Sequence, residues 1–81
     1  MNDNEVLNSL VGMAYDEIED VRKYMDLFDH ASDHGKGILK DIAHDEYTHA
    51  LNIIKILDVH KAVPDDLWNN WNTLKKDFGT V

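Results

Sequence analysis

Apolar residues recur along the first third of the chain in steps of three and four: Val6, Leu7, Leu10, Val11, Ala14, Ile18, Val21, Met25 and Phe28. That spacing is the period of an α-helix with one buried face; a half-buried strand would alternate apolar and polar residues instead. It predicts an amphipathic helix over about residues 5–31. Asn4 or Asp3 is the expected cap, with Glu5 in the first turn, where negative charge meets the positive end of the helix dipole. Ser32-Asp33-His34-Gly35-Lys36-Gly37 then interrupts the pattern and predicts a tight turn, with Gly35 as a left-handed cap residue. The period resumes at Ile38, Leu39, Ile42, Ala43, Ala50, Ile53, Ile54, Ile56 and Leu57, predicting a second helix over about 38–61. Val63-Pro64-Asp65 is the second break, and Pro64 suits the first turn of a new helix. Leu67, Trp68, Trp71, Leu74 and Phe78 give a short third helix over about 64–78. The expected fold is all-α: one domain, residues 1–81, made of a long antiparallel helical hairpin and a short C-terminal helix.

Three polar residues break these apolar stripes. Glu17 lies three after Ala14 and four before Val21; Glu46 lies four after Ile42 and four before Ala50; His49 lies four before Ile53. Glu46 and His49 are three apart, so they point the same way from one helix. In an antiparallel hairpin that turns near Asp33 or His34, Glu17 faces the stretch near residue 50, and all three residues fall at similar height. A carboxylate on an apolar stripe is costly unless it is paired, protonated or bound to a metal. Two carboxylates and an imidazole together form a mixed O/N ligand set suited to iron, manganese or zinc. A second copy related by a two-fold axis, the common symmetry of homodimers, would double the set and hold two adjacent divalent ions. The plainer reading places Glu46 and His49 at the edge of the stripe, paired with each other or with Lys. A Glu-x-x-His step is by itself a weak motif, because a charged helix produces it by chance.

Size and charge narrow the field. A chain of 81 residues buries a small core and gains much from a metal or a partner, and with no Cys it can form neither disulfides nor thiolate metal centres. The net charge of -8, from 16 acidic against 8 basic residues, argues against nucleic-acid binding. It suits cation attraction or the binding of a basic protein partner. No apolar run spans a bilayer and the start lacks a leader pattern, so no membrane association and a cytoplasmic location are expected.

The stretch from Tyr15-Asp16-Glu17 to Tyr24, followed by Asp45-Glu46-Tyr47-Thr48-His49-Ala50, resembles the rubrerythrin and ferritin-like di-iron carboxylate family. The resemblance covers about residues 5–60. It implies Glu17 and Glu46 as carboxylate ligands, His49 as a terminal ligand and Tyr24 as a hydrogen-bonding residue behind them. It also implies two Fe per dimer, with Mn or Zn as substitutes, and Fe(II) oxidation, iron handling or peroxide-linked oxidoreductase chemistry. A full member of that family carries two ligand sets on four helices, whereas this chain carries one. It therefore looks more like the encapsulated-ferritin type, which implies a half-bundle subunit that dimerises into a ferritin-like four-helix bundle and builds the site across a homodimer or a ring of dimers, a type that can sit inside a protein compartment. The tail Phe78-Gly79-Thr80-Val81 does not resemble a compartment-targeting tail, and the absence of Cys excludes a rubredoxin-like electron-transfer domain.

Other chemistry-bearing residues have plainer readings. His30 and His34 are four apart but sit at a helix end, where the dipole favours His. His60 also suits a helix end, and His44 a solvated face. Glu19 and Asp20 could line a cation entry path, but a solvated face is the simpler account. Trp68 and Trp71 have the spacing of core or dimer contacts. The alternative functional class is a metal-free acidic helical module, regulatory or phage-type, that binds a basic protein.

Overall fold

The structure, a computed structural model, describes residues 2–79. It contains three helices: α1 (Asp3–His30), α2 (Asp33–Val59) and α3 (Asp65–Phe78). Among the described residues there are no strands. Helix α1 starts where Asn2 accepts a hydrogen bond from the Glu5 backbone N–H at 2.8 Å, with Asp3 and Glu5 in its first turn. The cap is therefore one or two residues earlier than Asp3 or Asn4, because it is the Asn2 side chain that reaches a free first-turn donor.

The first turn is tighter than the Gly-rich stretch suggests. Only Ala31 and Ser32, both extended, separate α1 from α2. The Ser32 hydroxyl accepts from the Gly35 backbone N–H at 3.4 Å and caps α2, so Asp33 to Gly37 belong to the helix. No glycine among the described residues has positive φ, so Gly35 is not a left-handed cap. The cap and the intrahelical bonds outweigh the entropic cost of two glycines, about 1 kcal/mol each. At the other end α2 stops at Val59, two residues short of the expected Lys61. His60 is its cap, and the left-handed residue is Lys61, at φ 52. Pro64 then serves as the cap of α3 rather than its first residue.

Helices α1 and α2 form the antiparallel hairpin, and α3 lies back against it, giving a body of 46 × 23 × 15 Å. Ala14, Ile18 and Val21 of α1, Ala50, Ile54 and Leu57 of α2, and Leu67, Trp71 and Leu74 of α3 make one core. The alanines let the long helices approach closely. Tyr47 stacks on Phe78 at 4.4 Å between ring centres and lies 4.9 Å from Trp71. Tyr15 donates to the Asp66 carboxylate at 2.8 Å, and Arg22 pairs with Asp77 at 3.6 Å. These contacts place α3 on one broad face of the hairpin and leave the opposite face open. Trp71 is core as expected, whereas Trp68 is partly exposed. No helix among the described residues is long and apolar enough to cross a membrane.

Candidate metal centre

Glu17 sits near the middle of α1, and Glu46 and His49 sit near the middle of α2. Both helices present these residues on the side away from α3. Glu17 is two residues from Tyr15, which bonds α3, and so points roughly the opposite way. The interhelical register brings the three together. His49 Nδ1 lies 3.9 Å from Glu17 Oε2 and 4.0 Å from Glu46 Oε1. One ligand atom from each residue falls within 4.8 Å of the other two. The two carboxylate side chains are each 23% exposed and the imidazole is 58% exposed.

The electrostatics are unusual for a surface acid. Glu17 Oε2 is shielded from solvent and has no hydrogen-bond partner. The Glu17 carboxyl is pushed up to about 7 from an ordinary value of 4.5. The largest cause is the Glu46 carboxyl, to which a protonated Glu17 can donate; burial and the negative charges of Glu46 and Asp20 add to it, and His49 opposes it. Two carboxylates held side by side favour sharing one proton, or a cation in its place. The orphaned oxygen, a second carboxylate and an imidazole converging on one point match the donor chemistry of a divalent transition metal.

Of the other candidates, Tyr24 is half-buried on the open side of α1 and its hydroxyl has no hydrogen-bond partner among the described residues. Glu19 is exposed and paired with Lys23 at 3.6 Å, as a solvated face predicts. Asp20 departs from that expectation: it is half-buried, and its charge acts on Glu17. Its position three after Glu17 was the available signal, since i and i+3 share a helix face. His30, His34 and His60 are exposed, and none joins a cluster of possible ligands among the described residues. His44 is exposed, with its ring 6.3 Å from that of Phe78. The tail residues Thr80 and Val81 lie outside the described residues.

Comparison with known proteins found no matching family model, no matching curated protein and no matching solved structure. The functional reading therefore rests on the residues and their geometry.

Proposed function

We propose that the chain is a metal-binding protein of ferritin-like character, in which Glu17, Glu46 and His49 hold a divalent transition metal, iron foremost, with manganese or zinc as substitutes. The observation that carries this reading is the solvent-shielded Glu17 oxygen, which has no hydrogen bond, set against a second carboxylate and an imidazole. A metal would offset the repulsion between the acids and satisfy the orphaned atom in one step. Three protein donors leave open coordination positions, which a second copy, water or a substrate would fill. Bound iron supplies one-electron chemistry with oxygen or peroxide, so Fe(II) oxidation, iron handling or peroxide consumption is the proposed reaction class. The chain's own residues contribute otherwise. The two Glu would neutralise and hold the cation, His49 would add a nitrogen donor at the solvent edge, and Tyr24, two turns from Glu17 along α1, would offer a hydroxyl able to hydrogen-bond. The acidic surface, net charge -8, concentrates cations around the protein, and a cytoplasmic setting fits a chain without Cys.

The test is elemental analysis after loading with Fe(II) in air, with the protein then passed through a sizing column. One metal per chain, lost in Glu46→Ala, is the expected result. A metal-free wild-type protein, or equal metal in Glu46→Ala, overturns the reading. In that event the high acidity directs attention to a basic protein partner instead.

A further inference from the structure

Sulfur is scarce in this chain. It has 3 Met and no Cys, so no thiol competes for an oxidant and the thioethers are its softest reductants. Met13 and Met25, both on α1, are the two methionines among the described residues, and their surroundings differ. Met25 is half-buried and packs against the core. Met13 is 50% exposed and takes no part in the core. Of the large apolar side chains that stay exposed among the described residues, Met13 alone carries sulfur; the others are aliphatic, except Trp68 on α3. Met13 precedes Glu17 by four residues, so the two lie one turn apart on the same face of α1, with Cβ atoms about 5–6 Å apart. Helical side chains lean toward the helix N-terminus, which lays the Glu17 carboxylate back over the turn that holds Met13. The thioether therefore stands at the rim of the Glu17, Glu46 and His49 cluster. Within that cluster His49, 58% exposed, is the residue most open to solvent.

We infer that Met13 is a peroxide-oxidation site at the rim of the metal centre, a thioether that takes up oxidant in place of the ligand His49. The inference rests on the metal reading, because peroxide recruited to that centre meets a group one turn away at high local concentration. The step is a two-electron oxygen transfer. A sulfur lone pair attacks one oxygen of hydrogen peroxide, an S–O bond forms and the O–O bond breaks. The second oxygen leaves with both protons as water, so sulfur is oxidised and peroxide reduced. The product sulfoxide is polar and is reversed by sulfoxide reductases. Its place on the chain makes the change tolerable. At the exposed Met13 the new oxygen reaches water, whereas at Met25 it would put a polar group against the core. Oxidation of His49 instead would cost the cluster its one nitrogen donor.

The test compares the full chain loaded with Fe(II) under argon, and freed of unbound iron on a sizing column, with the chelated chain. Each is treated with hydrogen peroxide, quenched with catalase and mapped by peptide mass spectrometry, and bound iron is counted on the same samples. The expected result is Met13 sulfoxide formed several-fold faster than Met25 sulfoxide, with bound iron accelerating Met13 several-fold and leaving Met25 unchanged. Glu46→Ala should lose that acceleration and keep the rate of the chelated chain. Met13→Leu nearly conserves volume at an exposed position and so should fold. In that variant oxygen addition at His49 should rise several-fold. Equal rates at Met13 and Met25, or bound iron with no acceleration at Met13, overturns this inference and leaves the metal reading standing. A Met13→Leu chain whose His49 is oxidised no faster than in wild type does the same. A wild-type chain that holds no iron overturns the metal reading, and this inference with it.

Discussion

The two broad faces of the α1–α2 hairpin are built from the same two helices but finished to different degrees. Under α3, apolar side chains are buried and polar ones are matched: Leu67, Trp71 and Leu74 enter the core, Tyr15 bonds Asp66, and Arg22 pairs with Asp77. On the opposite face apolar side chains remain exposed, and a solvent-shielded polar atom, Glu17 Oε2, has no hydrogen bond. A folded chain tolerates an exposed apolar row or an orphaned carboxylate only at some cost in free energy. Both occur on one surface, and that surface is the one on which the proposed metal reading rests. The closed face explains why the chain folds, and the open face carries the functional inferences.

Mutations can break or sharpen this contrast. The largest effect is expected at the closed face. Trp71→Ala should cost about 3–5 kcal/mol, much of the stability of a domain this small. Met13→Ala on the open face should cost under about 1 kcal/mol when the metal is chelated and the chain is dilute. Urea denaturation of both variants checks this, and equal losses would erase the distinction between the faces.

A second effect concerns pH. The Glu17 carboxyl ionises near pH 7 in the fold against about 4.5 in the unfolded chain. Below the lower value it is protonated in both states and costs nothing. Above the higher value it is ionised in both states, and the fold bears the full repulsion and desolvation. The metal-free protein should therefore lose stability as pH rises from about 4.5 to about 7. Glu17→Gln keeps an amide donor toward Glu46 and removes the ionisation. Its urea midpoint should match wild type near pH 4.5 and exceed it above pH 7. Parallel profiles for the two proteins would mean that Glu17 is not the acid responsible.

Smaller effects complete the series. Tyr15→Phe deletes the hydrogen bond to Asp66 and should lower the urea midpoint slightly at neutral pH, without altering metal uptake. Tyr15 ionises above its ordinary value because deprotonation would break that bond, so the loss should persist up to strongly alkaline pH. Smallest of all, Gly12→Ala touches neither face, since nothing lies within 4 Å of the added methyl. It should stabilise α1 by about 0.5–1 kcal/mol, and thermal melts would show whether it does.

Much of this architecture was legible in the residues. The three- and four-residue steps of Ile18, Val21 and Met25 and of Ala50, Ile54 and Leu57 required helices, and the interruptions at residues 32–37 and 63–65 required a hairpin and a third element, although the first loop proved to be residues 31–32 alone. The meeting of Glu17 with Glu46 and His49 followed from antiparallel register. Cap details were less legible. Ser32 and Asn2 win because their side chains reach free backbone donors, and sequence alone does not say which of several polar residues will do so. Asp20 is half-buried where spacing alone suggests a solvated face, because a residue on the shoulder of a stripe can turn to either side.

The order of residues determined three amphipathic helices, an acidic surface and a Glu-x-x-His step, because helical period and charge are local properties. The tertiary structure decided which side of the hairpin α3 covers. Each long helix carries apolar residues over a broad arc, and periodicity cannot say which part of that arc the third helix will cover. The aromatic stack of Tyr47 on Phe78, with Trp71 beside it, and the Tyr15–Asp66 bond commit α3 to one side. The face that carries Glu17 is left uncovered by α3, because a third helix of 14 residues can cover only one face of the hairpin.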